Sequence, residues 1–225
     1  MQIKIPYTPR KFQNYLHQRI RGYRWSVLVC HRRFGKTVCM INHLLMAALT
    51  SKVSNPRYAY IAPTFKQAKS IAWDYIKQFT HKIPGVKFNE TELRVDLPNK
   101  ARITLLGSEN CDGLRGIYLD GCVIDEYANV NDRLFPEIIR PALSDRKGFC
   151  IFIGTPQGMN NNFYELFQHA KGADDWFYFK AKASETKVVD QDELSKAEQI
   201  MGENKFKQEF ECDWIANIEG SIYGK

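Results

Sequence analysis

Short apolar runs alternate with longer stretches of mixed polarity along most of the chain. Trp25 to Cys30 (Trp-Ser-Val-Leu-Val-Cys) is an apolar run of strand length that leads through a Gly-Lys-Thr turn into the helix-like stretch Val38 to Leu49. Arg57 to Ala62 is a second such run, stopped by Pro63, and Thr64 stands where it can cap a helix reaching to about Thr80. Strand then helix, twice over, is the order of an α/β protein.

Between residues 86 and 107 the period changes. Leu93-Arg94-Val95-Asp96-Leu97 and Ala101-Arg102-Ile103-Thr104-Leu105 alternate around Pro98-Asn99-Lys100, which predicts a hairpin inserted at a sheet edge. Gly121 to Ile124 and Phe149 to Gly154 are apolar at nearly every position, the pattern of strands buried on both faces in the middle of a parallel sheet. A helix between Leu134 and Leu143 connects them. Past Gly154 the pattern predicts a helix from Asn161 to Ala170, an aromatic strand from Trp176 to Ala183, and helices over Gln191 to Met201 and Glu203 to Glu211. Residues 218–225 have linker composition. The expectation is an α/β fold with a mainly parallel central sheet flanked by helices, a core over 1–180, and a C-terminal helical subdomain and linker over 181–225.

At 225 residues and 44% hydrophobic, the chain is long enough to bury a sizeable interior without staples. No apolar stretch approaches the roughly 18 residues that span a bilayer, and Met1-Gln2-Ile3-Lys4 lacks the apolar core of a secretion signal. A soluble, unsecreted chain is expected, without a membrane partner. The six cysteines form no CxxC pair and sit mostly in apolar runs, which predicts small buried hydrophobes in a reducing compartment. Net charge is +7, but its distribution says more than its sum. Residues 1–73 hold 13 Lys and Arg and no Asp or Glu, whereas residues 74–225 hold 19 basic against 25 acidic side chains. Such asymmetry suits a polyanion, either a nucleotide triphosphate or a nucleic acid backbone; charge alone leaves a solvated basic face open.

Motifs decide between these. Cys30-His31-Arg32-Arg33-Phe34-Gly35-Lys36-Thr37 fits the phosphate-loop pattern GxxxxGK[ST] except at its first position, where Cys30 replaces glycine. Gly35 lets backbone N–H groups approach phosphate, Lys36 can reach the β- and γ-phosphates, and Thr37 can ligate Mg²⁺ at a helix N-terminus whose dipole favours anions. Arg32 and Arg33 add cations that an ordinary phosphate loop lacks. Cys122-Val123-Ile124-Asp125-Glu126 is an apolar strand ending in two carboxylates. ATP hydrolysis needs one to hold Mg²⁺ and one to orient the attacking water, roles that fall to Asp125 and Glu126. Gly154-Thr155-Pro156 ends another buried strand whose C-terminal edge opens onto the same crevice in a doubly wound sheet, where Thr155 can sense the γ-phosphate.

Together these residues resemble the ATPase domain of bacteriophage large terminases, the motors that pump viral DNA into preformed capsids. The likeness runs from Phe12-Gln13 to Glu209-Phe210-Glu211-Cys212-Asp213-Trp214. It implies a P-loop NTPase fold of the additional-strand (ASCE) type, with ATP and Mg²⁺ as ligands. It also implies translocation of double-stranded DNA by a homo-oligomeric ring, a pentamer, on the capsid portal in the host cytoplasm. The portal protein and the small terminase subunit are the implied partners. By resemblance, Arg32 is the subunit's own arginine sensor, Gln13 the adenine-reading glutamine, and Gly154, Thr155 and Pro156 the coupling motif. Arg115, in Asp112-Gly113-Leu114-Arg115-Gly116, is similar in placement to the finger that terminases insert into a neighbour's site, with Arg140 second in line. Lys66 and Lys69 are candidates for DNA contact or plain helix charges. The family's ribonuclease-H-type nuclease domain finds no room in 225 residues, so a motor domain without nuclease activity is expected. A helicase-like ATPase shares the same motifs but needs a second motor domain. An ATP-binding switch or scaffold would not require Glu126.

Overall fold

The computed structural model describes residues 5–216, so the linker expected at 218–225 lies outside the described residues. The strands are β1 (Trp25–Cys30), β2 (Arg57–Ala62), β3 (Lys87–Asn89), β4 (Arg94–Asp96), β5 (Arg102–Gly107), β6 (Gly121–Asp125), β7 (Phe149–Gly154) and β8 (Trp176–Ala181). They form one sheet in the order β3-β4-β5-β2-β6-β7-β1-β8. Every pairing from β5 across to β8 is parallel, while β3 and β4 add antiparallel at the edge.

The continuous apolar runs follow from burial on both faces. In β1, Val27 and Val29 join Ile61, Ile124 and Phe152 on one face, and Leu28 and Cys30 join Met40, Ile41 and Ile151 on the other. Fully burying each such Val, Leu or Ile contributes roughly 1.5–3 kcal/mol, which offsets the entropy of fixing the backbone. Helix α1 (Lys11–Ile20) buries Gln13, Leu16, His17 and Ile20 along one stripe, and α2 (Lys36–Thr50) lies beside it on the Leu28 face. On the Val27 face pack Leu134, Ile138, Ile139 and, from a helix spanning Asn162–Gly172, Phe163 and Phe167.

Several elements differ from the sequence pattern in detail. The helix capped by Thr64, whose Oγ1 accepts from the Gln67 N–H at 3.1 Å, is three pieces: α3 (Phe65–Ala68), a π-helical stretch Lys69–Trp73, and α4 (Asp74–Thr80). A π-turn adds one residue per turn and leaves no mark on hydrophobic periodicity. Leu134–Ile139 is likewise π-helical and passes into the short α5 (Arg140–Ala142), where Pro141 lacks the N–H that a continuous α-helix would direct to the Glu137 carbonyl. The expected hairpin is present as β4 and β5, but β5 also pairs in parallel with β2, and the short β3 extends the edge. The helix Asn162–Gly172 is α6. The aromatic strand stops at Ala181. The chain then turns into α7 (Ala183–Thr186), α8 (Gln191–Met201) and α9 (Glu203–Phe210), of which the pattern left out α7. The six cysteines are buried and unpaired, as their apolar settings imply.

Candidate active site

Between β1 and α2 the loop of residues 31–35 is held from two sides. From behind, the His31 N–H donates to the Ala181 carbonyl at 3.0 Å and the Arg32 N–H to the Glu209 carbonyl at 2.8 Å. The buried His31 ring spans the Arg32 carbonyl (Nδ1, 2.6 Å) and the Thr186 hydroxyl (Nε2, 2.7 Å) and meets the buried Phe34 ring edge-on. From the α1 side, the Gln13 amide donates to the Gly35 carbonyl at 3.2 Å and the Arg10 guanidinium to the Phe34 carbonyl at 3.4 Å. Arg33 and Gly35 have φ of 70° and 85°. A Cβ on Gly35 would stand 2.9 Å from Gln13 Nε2, so this position needs glycine for both its backbone and its neighbour.

Lys36 turns back across the loop. Its Nζ lies 3.4 Å from the Cys30 carbonyl and 3.5 Å from Glu126 Oε1. Cys30 occupies the first loop position as the buried last residue of β1. Burial alone would lower the Lys36 pKa, but Glu126 and then Asp125 outweigh it and hold the ammonium above its ordinary value.

The order β6-β7-β1 brings the two acids to this lysine. Val29 is level with Gly154, and Ile153 with Asp125, so the C-terminal ends of the three strands form one rim. Asp125 is buried and its pKa is pushed up to about 6, first by burial and then by Glu126, with Lys36 pulling the other way. The Tyr60 hydroxyl and the Glu126 N–H (2.9 Å) both donate to its carboxylate. Glu126 has φ 48° and ψ 48°, a left-handed backbone unusual for a residue with a Cβ. Gly154 passes close behind it: a Cβ there would lie 3.6 Å from Glu126 Cα and 3.2 Å from the Phe163 ring. Thr155 and Pro156 follow, both buried.

Two cavities meet at Arg33 and Phe34. One of about 360 Å³ is lined by Gly35, Lys36 and Thr37 and faces Ser70, Ile71 and Tyr75 of the π-helical stretch and α4. The other, about 530 Å³, lies between the start of α1, including Gln13, and residues 186–188. Two roomier cavities, about 690 and 650 Å³, share Arg21 and Met46 and lack any phosphate-loop residue.

The structure thus gathers Lys36, Thr37, Asp125 and Glu126, and sets Gln13 under the loop with 3% of its surface exposed, where a basic amphipathic helix gives no reason to expect burial. Arg32 points outward, with 58% of its side chain exposed and 4.0 Å from Glu209. Arg115 follows the turn Cys111–Leu114 and is ion-paired with Asp112 (3.1 Å) and Glu137 (3.3 Å), acids it shares with Arg133. Arg140, Lys66 and Lys69 are exposed. Sequence reasoning passed over Tyr60, His31, Thr186 and Arg10. Nothing in β2 sets Tyr60 apart from Tyr58, a second phenol of the same strand, and the others depend on contacts between segments far apart in the chain.

The sequence pattern of the family described as "Terminase large subunit, T4likevirus-type, N-terminal" matches residues 29–224. The chain belongs to the large-terminase family. Among curated relatives, the large terminase subunit of Thermus virus P23-45 is 31% identical over 126 residues, which cover 48% of this chain and 26% of that protein. The matched terminase segment thus spans about a quarter of the relative's length. Among solved structures, the large terminase ATPase domain of Thermus phage P74-26 superposes with TM-score 0.78 at 21% identity, covering 93% of this chain and 95% of that one. The large terminase of a thermophilic bacteriophage, solved in complex with ADP, gives TM-score 0.78 at 14% identity over 91% of this chain and 53% of that one. At these identities the likeness is one of fold: a mostly parallel sheet of P-loop type, with β7 as the additional strand between β1 and β6.

Proposed function

We propose that this terminase chain hydrolyses ATP to drive double-stranded DNA into a procapsid. The observation that carries the reading is the Lys36 to Glu126 contact at 3.5 Å, with the buried Asp125 beside it on the rim of β1, β7 and β6. In this reading Lys36 binds the β- and γ-phosphates and the loop N–H groups cradle them. Arriving phosphate takes Lys36 from Glu126, and the freed carboxylate orients water against the γ-phosphorus. Adenine enters the cavity beside Gln13, Arg32 and Arg33 stabilise charge on the phosphates, and Gly154, Thr155 and Pro156 carry the change in Glu126 to the rest of the sheet.

Asp125 and Thr37 supply hard oxygen donors, and phosphate oxygens complete such a set in Mg²⁺ sites, so these residues fit Mg²⁺. Bound there, the ion would neutralise charge building on the transferred phosphoryl group. The remaining assignments follow the family: a homo-oligomeric ring, a pentamer, on the portal protein, fed by the small terminase subunit, with Arg115 reaching a neighbour's site.

Steady-state ATP hydrolysis with double-stranded DNA, measured on the parent, Lys36→Ala and Glu126→Gln, tests this. Expected are loss of turnover in Lys36→Ala and a fall of about 10²-fold or more in Glu126→Gln with nucleotide binding retained. Equal rates for Glu126→Gln and the parent would remove Glu126 from the chemistry.

A further inference from the structure

One buried hydroxyl at the site has no role in the mechanism above. Tyr60 is a fully buried side chain of β2, with register partner Val123 on β6. Side chains alternate along a strand, so Val123 and Asp125 share a face and the Tyr60 ring runs along that face toward the carboxylate. Its hydroxyl donates to Asp125 Oδ2, and the Glu126 N–H donates to Oδ1 at 2.9 Å. Both oxygens of Asp125 are thus anchored, one by a side chain of the neighbouring strand and one by the backbone. The neighbours of Tyr60 in β2 are Ala59 and Ile61, and a phenylalanine would fill the same space without burying a hydroxyl that needs a partner.

We propose that Tyr60 is a positioning residue for Mg²⁺: its hydroxyl fixes the carboxylate of Asp125, so that this ligand arrives at the ion already oriented. This rests on the ATPase reading given above. Partners that orient ligands from outside the coordination shell typically change metal affinity roughly 10- to 100-fold when removed.

The test is a Mg²⁺ titration of binding of a fluorescent ATPγS analogue, with thermal unfolding, on the parent, Tyr60→Phe, Tyr60→His and Asp125→Asn. Expected for Tyr60→Phe is unchanged binding in EDTA, a melting temperature within about 4 °C of the parent, and a Mg²⁺ midpoint raised roughly 10- to 100-fold. Tyr60→His restores a ring N–H donor and is expected to fall between Tyr60→Phe and the parent. In Asp125→Asn the Mg²⁺ dependence itself should largely vanish. A Mg²⁺ midpoint in Tyr60→Phe equal to the parent's overturns the proposal, as does weakening of the same size with and without Mg²⁺, which assigns Tyr60 to packing. Should Tyr60→Phe fail to fold, Tyr60→His decides: a raised Mg²⁺ midpoint supports the proposal, and a lowered melting temperature with the parent's midpoint overturns it. A parent that binds no nucleotide in any condition defeats the ATPase reading instead, and Asp125→Asn with the parent's Mg²⁺ response defeats the ligand assignment.

Discussion

At Glu126 the chain leaves β6 in the left-handed region, a conformation that costs a residue with a Cβ about 1–3 kcal/mol. The conformation ends the strand within one residue of Asp125, and the Glu126 side chain meets Lys36. The acid pair was legible in the sequence because two carboxylates closing an apolar strand are a local pattern. Its backbone strain was not, since nothing in Asp-Glu-Tyr marks a positive φ. Gly35 gives the reverse case: the sequence asked for glycine to let phosphate approach, and the structure adds that a Cβ would strike the Gln13 amide at 2.9 Å. Gly35→Ala is expected to lower stability by about 1–3 kcal/mol, from a positive φ on a residue with a Cβ and the displaced Gln13 bond, and to weaken nucleotide binding. Urea unfolding and nucleotide titration read the two effects separately, and wild-type values for both would contradict this account of the loop.

At the scale of elements, α1 and α2 are joined by a pair of stacked imidazoles. His17 Nδ1 and His43 Nδ1 lie 3.2 Å apart with ring planes 2° from parallel, and Tyr7 Oη bonds His17 Nε2 at 3.0 Å. The contact needs an N–H on one ring and a lone pair on the other, so two protonated rings cannot share it. Burial first, and Arg21 besides, lowers His17 to about 4; burial, His17 and Arg21 lower His43 to about 3. These pKa values lie below the unfolded value near 6.5, so below that pH the unfolded chain takes up protons the folded chain refuses. The pair's stabilising share is therefore full above about pH 6.5 and falls as pH drops toward 4, by up to about 1.4 kcal/mol per unit for each histidine. Denaturant unfolding at pH 7.5 and 5 should show a smaller acid loss in His17→Gln/His43→Gln than in the parent; identical losses would rule the pair out as its source. The parallel strands were readable from their continuous apolar runs, because burial on both faces is visible in composition. The π-helical stretches were not: one extra residue in a turn shifts the helix face without changing which residues are apolar.

For the molecule as a whole, the sequence carried the sheet's existence and the resemblance its class, but the order of the strands arises from which strands pair. That order sets β7 between the phosphate loop and the acid pair, so Gly154 can pass close behind Glu126. Assembly lies beyond a single chain. With Asp112 and Glu137 as its ionic partners here, Arg115 sits in a surface network of mixed charge. If it completes a neighbour's site, turnover per chain should rise with protein concentration, and Arg115→Ala should lose about 10³-fold or more of the assembled rate while dilute protein changes little. A concentration series on both proteins measures this, and turnover independent of concentration and of Arg115 would count against a trans-acting role.

The supports behind the phosphate loop come from Ala181, Thr186 and Glu209, all later in sequence than the last strand of the sheet or at its very end. Synthesis from the N-terminus therefore makes the loop, its lysine and both acids before α7 and α9, which brace it from behind, exist. A nascent chain that has just completed β8 already carries each of those functional groups, yet the loop gains its full set of braces only when α9 docks. The braces behind the loop are thus made after every group that they hold in place.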